Sequence, residues 1–249
     1  ADPRYLTLNA FIEEGLPIAT LERMVTSMAV AAREADVHLL AGDTKVLPRG
    51  QGGGLYLATT GVGERAPGMS LGMDRIQAGD AILVSGPVGD HGVAVMLARE
   101  DFGLSGDLQS DAASVLPLTR TARGLEGLRF MRDPTRGGLA TVLNDLVRTT
   151  GLAVRVRAAD IPLRDSVQAV CEMLGFDPLY MACEGRVVAV VEPSQAAQLL
   201  EAWQLTALGQ GAAIIGQLAA GAPRVVLETE LGAERLLEEL EDDPLPRIC

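Results

Sequence analysis

Apolar residues recur at three- and four-residue steps through Leu21, Met24, Val25, Met28, Ala29 and Ala32, which predicts one face of a helix opened by Pro17. Leu6-Thr7-Leu8-Asn9, just before it, alternates like the end of a strand. Short apolar runs predict further strands over 37–41 and over 55–60, the second after the turn-rich stretch 49–54. A boundary is expected near 68–79. Beyond it, 81–85 reads as a buried strand and a helix begins near Val93. Helices are expected over 116–125 and 139–149, with strands over 153–156, 187–191, 213–218 and 224–227. Val167, Val170, Cys171 and Leu174 share a helical face that places Cys171 in the core. Ser194 is expected to cap a helix reaching Trp203, and a last helix is expected over 233–241.

Strands and helices alternate without a clean strand–helix–strand series. That order predicts an α/β chain with mixed sheets and packed helices, in two units. The first unit reads as incomplete, because its helix needs more sheet than the segment supplies. Either a partner chain provides the remainder or the natural protein begins earlier.

Composition narrows this picture. The 249 residues are 48% apolar and 22% charged, enough for a buried core, and with only 3% aromatics that core rests on aliphatic side chains. No apolar run approaches the ~18 residues of a membrane helix. A net charge of −12 argues against nucleic acid or anionic lipid as a broad partner, so an anionic ligand would need local amides, basic side chains or metal ions. The three cysteines, Cys171, Cys183 and Cys249, lack metal-ligand spacing, and no secretory signal is visible. A reduced, cytoplasmic setting is expected.

Four segments could carry chemistry. Gly42-Asp43-Thr44-Lys45 is read as a turn at a strand end, where the carboxylate could hold Mg²⁺ and the lysine meet a phosphate, or as an ordinary polar surface turn. Asp133-Pro134-Thr135-Arg136-Gly137-Gly138 leads into a helix; its glycines could admit a phosphate to the helix-start amides, or form a simple capped turn. The Walker phosphate-loop pattern is absent. In Gly86-Pro87-Val88-Gly89-Asp90-His91-Gly92, His91 could titrate near neutrality or satisfy backbone groups of a tight loop, and His38 reads as structural. Glu184, at a strand entry, could act as a base with a raised pKa or simply pair with Arg186. The terminal run Asp242-Asp243-Pro244-Leu245-Pro246-Arg247-Ile248-Cys249 cannot be helical. Extended, it spans roughly 25 Å at about 3.3 Å per residue, an arm able to carry the Cys249 thiol, or else a frayed end.

Taken together, Gly42-Asp43-Thr44-Lys45-Val46, the 85–92 loop, Asp133 through Ala140, Glu184-Gly185-Arg186 and the terminal Pro246-Arg247-Ile248-Cys249 resemble the HypE family of nickel–iron hydrogenase maturation factors, the hydrogenase expression/formation proteins. The resemblance spans the chain, and the terminal tetrapeptide is its most specific part. The glycine loops are shared with the wider PurM-like, AIR synthase-related superfamily. The family's longer N-terminal segment is not seen here.

The resemblance implies a PurM-like two-domain architecture. Residues 1–72 would be the remainder of the N-terminal ATP-binding and dimerisation domain, 73–228 the C-terminal α/β domain, and 229–249 a helix and mobile tail. It implies a homodimer. It also implies an ATP-dependent carbamoyl dehydratase: Cys249 receives a carbamoyl group from the carbamoyltransferase HypF, dehydration yields a thiocyanate, and the cyanide passes to iron held by the HypC–HypD complex. Cys249, Lys45 and Glu184 would be catalytic. Gly42, Asp43, Thr44, Asp133, Arg136, Gly137 and Gly138 would hold ATP, with Asp43 on Mg²⁺. Arg247 would offset the terminal carboxylate beside the thiol. Cys183 stands where the family pattern has asparagine, a small change in site polarity. Two other readings stay open: a PurM-like synthetase or kinase acting on a free small molecule, in which a terminal cysteine has no purpose, and a non-catalytic docking module, which ATP affinity would distinguish.

Overall fold

The computed structural model describes residues 1–99, 102 and 107–240. Cys249 and the rest of the 241–249 arm lie outside the described residues. The chain divides into two compact units at Met69/Ser70.

In the first unit, strand β1 (Asp2–Glu13) leads through helix α1 (Ile18–Glu34) to β2 (His38–Leu47), and β3 (Leu55–Glu64) follows. The three form one sheet in the order β2-β1-β3, parallel between β1 and β2 and antiparallel between β1 and β3. A parallel pair needs a crossover, which α1 supplies. β1 alternates as half-buried and exposed: Leu6, Leu8, Ala10 and Ile12 are covered, whereas Tyr5, Thr7, Asn9 and Phe11 face outward. The face of α1 expected from its spacing is covered only in part. Leu21, Met28, Ala29 and Ala32 are half-buried, while Met24 and Val25 are exposed.

The second unit is a seven-stranded mixed sheet, order β10-β9-β6-β8-β4-β7-β5, built from β4 (Ala81–Val84), β5 (Leu128–Arg132), β6 (Ala153–Arg157), β7 (Val188–Val191), β8 (Ala213–Ala219), β9 (Val225–Glu228) and β10 (Glu234–Leu236). Among the described residues of this sheet, only β6 and β9 pair in parallel. Its helices are α2 (Asp90–Arg99), α3 (Leu116–Ala122), α4 (Gly138–Thr150), α5 (Asp165–Leu174) and α6 (Pro193–Gln204). Helix α4 packs Leu139, Leu143 and Leu146 against Ile82, Val84, Val188 and Val190 on one face. On the other, Leu118 of α3 and Leu199 and Trp203 of α6 meet Ala81, Leu83, Ala189 and Val191. With both faces covered, β4 and β7 are buried throughout, which is why they read as unbroken apolar runs. Cys171 lies with Val93, Met96 and Met181 between α2 and α5; burial pushes its thiol up to about 11.

Three expectations change. Gly42 through Lys45 do not form a turn: β2 continues to Leu47, because pairing with β1 holds Gly42 opposite Leu8 and Lys45 opposite Phe11. The helix expected over 233–241 is replaced, among its described residues, by β10. A turn closed by Thr229 N–H to the Ala233 carbonyl (2.8 Å) folds the chain back onto β9, and Leu237 enters the core at 1% exposure. Edge pairing and that burial outweigh the helical preference of a run rich in Glu and Leu. Glu192, not Ser194, is the residue before α6; the Ser194 hydroxyl instead donates to the Glu192 carboxylate. Strand β5 carried no expectation, since Arg129 and Arg132 interrupt so short a run.

Candidate functional site

Asp43 and Lys45 are two residues apart on β2 and therefore project from one face of the first sheet. Their register partners on β1 are Asn9 and Phe11, which belong to its exposed set. Gly42 sits where the strands approach closely: a Cβ there would overlap the Leu8 carbonyl oxygen. Asp43 Oδ1 accepts the Thr44 N–H at 2.8 Å. This fixes the carboxylate locally and leaves it exposed. His38, at the start of β2, stacks at a tilt on Tyr5 with ring centroids 6.4 Å apart.

The other candidates belong to the second unit, where three loops are tied together through their backbones. The 85–92 loop is anchored first by Ser85. Its N–H donates to the Val187 carbonyl (3.0 Å), and its hydroxyl accepts the Val187 N–H (2.9 Å). Gly89 takes a left-handed φ of +86° and donates its N–H to Cys183 Sγ at 3.2 Å. Gly92 N–H donates to the Ala182 carbonyl (2.9 Å). The 133–138 loop joins the same hub, because the Cys183 N–H donates to the Pro134 carbonyl at 3.0 Å.

Gly138 has φ +59°, and a Cβ there would come within 2.5 Å of the Met181 carbonyl oxygen and 2.6 Å of that of Leu179. Its N–H donates to the Thr135 carbonyl (2.9 Å). The sequence leaves two readings for the two glycines, a helix start open to a phosphate or a simple capped turn. In this unit both are buried, and Gly138 makes room for the 179–181 backbone. Asp133 and Arg136 of the same loop are exposed.

Glu184 lies half-buried in the 181–187 loop. Arg186 is not its partner. The Arg186 side chain is 7% exposed and anchored from several sides. Its Nε donates to the Pro87 carbonyl (2.8 Å) and its Nη1 to that of Leu208 (3.3 Å). Asp90 Oδ2 lies 3.5 Å from its Nη2, and Asp111 Oδ2 3.4 Å from its Nε. Asp90 also accepts from Arg164 Nε at 2.8 Å. Both carboxylate side chains are nearly sealed, at 2% and 1% exposure. Each keeps one oxygen, Asp90 Oδ1 and Asp111 Oδ2, without a hydrogen bond. A pocket of about 490 Å³ opens beside them, lined among others by Ser110, Arg164 and Ser166.

His91 is not in a tight loop. It sits in the first turn of α2 with Nδ1 2.8 Å from Ser110 Oγ. Cys183 is fully buried, and burial pushes its thiol up to about 12, so it is a neutral core residue.

The structure thus brings Glu184 together with the Asp133–Gly138 and Gly86–Gly92 loops and groups Gly42 through Lys45 separately in the first unit. Sequence reasoning missed Asp90, Asp111 and Arg164. Asp90 stands inside a glycine motif beside the more conspicuous His91, whereas Asp111 lies in a stretch without periodicity and carries no signal. Among the described residues no three metal-capable side chains gather, and no helix is long and apolar enough to cross a membrane.

Residues 1–65 match the family model of the AIR synthase related protein N-terminal domain, and residues 77–228 that of its C-terminal domain. The chain is 44% identical over its full length to the carbamoyl dehydratase HypE of Azotobacter vinelandii, covering 74% of that protein. The crystal structure of Escherichia coli HypE superposes with a TM-score of 0.96 at 40% identity, over 100% of this chain and 77% of that one. A HypE solved with ATP gives 0.92 at 40% identity (98% and 75% covered), and a HypE–HypF complex gives 0.93 at 37% (96% and 79% covered).

Proposed function

The chain belongs to the HypE family, the carbamoyl dehydratases of hydrogenase maturation, and on that premise we propose that it dehydrates a carbamoyl group carried on its own Cys249 to a thiocyanate. The observation that carries the reading is the seating of Glu184. Its neighbours Cys183 and Arg186 are locked into the core and the buried ion network, while its own side chain stays half-exposed beside the glycine loops. A base held at a fixed place and only half-buried is what proton removal from a bound amide requires.

The chemistry follows from the leaving group. An amide oxygen departs poorly, and its phosphorylation at the expense of ATP converts it into phosphate. The amide nitrogen gives up both its protons, and expulsion of phosphate leaves S–C≡N. Glu184 takes a proton from nitrogen, and Lys45 orients the amide or assists the transfer. Gly42, Asp43, Thr44, Asp133, Arg136, Gly137 and Gly138 are the residues proposed to hold the nucleotide. The family member solved with ATP supports a nucleotide as co-substrate.

Asp43 offers an exposed carboxylate, and among the described residues no three metal-capable side chains gather around it. Mg²⁺ fits so sparse a set, since it keeps several waters and binds through one or two carboxylates plus phosphates. Bound there it would neutralise phosphate charge. HypF as carbamoyl donor, the HypC–HypD complex as cyanide acceptor and a homodimeric assembly belong to the same proposal, the first supported by the HypE–HypF complex.

Intact mass after incubation with carbamoyl phosphate, the transferase and ATP tests it. Gain of a carbamoyl group followed by loss of one water is expected. Cys249→Ala should accept no carbamoyl group, and Glu184→Gln should load normally yet keep the water. Carbamoylation of Cys249→Ala would overturn the carrier role, and normal thiocyanate yield from Glu184→Gln the base role.

A further inference from the structure

We infer that Asp111 is a positioning residue for the dehydration step, setting the place of Glu184 from the opposite side of the 181–187 loop; the inference rests on Glu184 being the base. Asp111 Oδ1 accepts the backbone N–H of Glu184 at 3.0 Å. Its Oδ2 faces Arg186 Nε at 3.4 Å. Its own carbonyl lies against Gly185, so closely that a Cβ on residue 185 would overlap it. One residue therefore meets three consecutive members of the Glu184-Gly185-Arg186 turn, through amide, α-carbon and guanidinium.

The strap that carries Asp111 is pinned in turn. Ser110 Oγ meets His91 Nδ1 at 2.8 Å and accepts the Ala112 N–H at 3.0 Å, which ties it to the first turn of α2. On the far side of Glu184, the Cys183 N–H is held by the Pro134 carbonyl and its sulfur by the Gly89 N–H. The backbone on both sides of Glu184 is thus fixed, and the tie at residue 184 itself is Asp111.

A purely structural site would not be built this way. Asp111 Oδ2 and Asp90 Oδ1 are buried without a hydrogen bond, and burying incompletely paired charge costs stability that well-packed apolar groups would retain. Local rules are broken at places where position matters more than stability. What this arrangement supplies is a charged acceptor for the Glu184 N–H whose other oxygen faces the Arg186 guanidinium as an ion pair, with Arg186 itself held by Pro87, Leu208 and Asp90.

The test measures three quantities on the carbamoyl-loaded chain: the extent of loading, the affinity for ATP, and the rate of water loss at saturating ATP. Asp111→Ala is expected to slow water loss by about 10²-fold, the scale of a misplacement near 1 Å, with loading intact and ATP affinity within about twofold. Asp111→Asn keeps an acceptor for the Glu184 N–H and should recover water loss to within about threefold of wild type. Gly185→Ala pushes the two segments apart without removing a charge and should reproduce the Asp111→Ala defect. It carries the decision if Asp111→Ala does not fold. In a Glu184→Gln background, Asp111→Ala should add no further loss, since one acts through the other.

Water loss at the wild-type rate in Asp111→Ala or Gly185→Ala would overturn the inference. So would a parallel fall in ATP affinity, which marks general damage. Normal water loss in Glu184→Gln alone would instead remove the base role, and the two failures are distinguishable.

Discussion

Residues 1–69 and residues 70–240 follow the same rules of apolar patterning and reach opposite degrees of burial. In the first unit the inward set of β1, Leu6 to Ile12, is only half-buried, and α1 buries no residue fully. In the second, Ile82, Leu83, Val84, Leu139 and Trp203 all fall to 0% exposure. Periodicity states which face an element will cover. Whether anything covers it depends on a second layer, and only the second unit places helices on both sides of its sheet. The candidate residues inherit this difference. Asp43 and Lys45 stand on an open strand face, whereas Glu184 sits in a loop whose neighbours are locked by buried backbone bonds and ions.

The hardest test of this contrast is truncation of one large aromatic side chain in each unit, buried in the second and exposed in the first. Trp203 is fully buried and donates its indole N–H to the Leu118 carbonyl at 3.0 Å. Trp203→Ala is expected to cost about 3–5 kcal/mol in the second unit. Tyr56 of β3 is 59% exposed, and Tyr56→Ala should cost less than about 1 kcal/mol in the first. Native-state hydrogen exchange resolved by unit measures both. Equal losses would break the comparison.

Glycine substitutions come next. Gly138→Ala combines a positive φ with a Cβ 2.5 Å from a carbonyl oxygen held in the core, and about 2–3 kcal/mol is expected. Gly42→Ala also meets a backbone oxygen, that of Leu8, but β2 is an edge strand that can shift. About 1–2 kcal/mol is expected there, checked by protection of the β1–β2 amides. A larger loss at Gly42 than at Gly138 would show that the first sheet is held as rigidly as the second core.

What the sequence disclosed follows the same division. The buried strands β4 and β7 and the helix α4 were legible, because full burial imposes apolar runs and a helical stripe. The extent of β2 was not. Gly42-Asp43-Thr44-Lys45 has turn composition, and only pairing with β1 keeps it extended. Nor was β10, where a helical composition over 233–240 gives way to a hairpin closed at Thr229. For the candidate site, Glu184 and the glycine loops stood out as motifs. The ion network around Arg186 did not, since Asp90, Asp111 and Arg164 are separated from it by tens of residues and nothing local marks a long-range partner.

The smallest expected effect concerns charge. Arg4 and Glu64 pair between β1 and β3 at 3.2 Å with side chains 46% and 73% exposed. Water screens such a pair and both chains lose rotamer freedom, so Glu64→Gln should cost below about 0.5 kcal/mol and nothing measurable at ~1 M salt, where the screening length falls to about 3 Å. Arg186, at 7% exposure between Asp90 and Asp111, has no such screening, and its contribution should survive the same salt. Salt titration of the two units' exchange rates separates the cases. A Glu64→Gln loss that persisted at high salt would mean that this edge of the first sheet is shielded from water in solution, and the exposure that sets the two units apart would then have to be withdrawn.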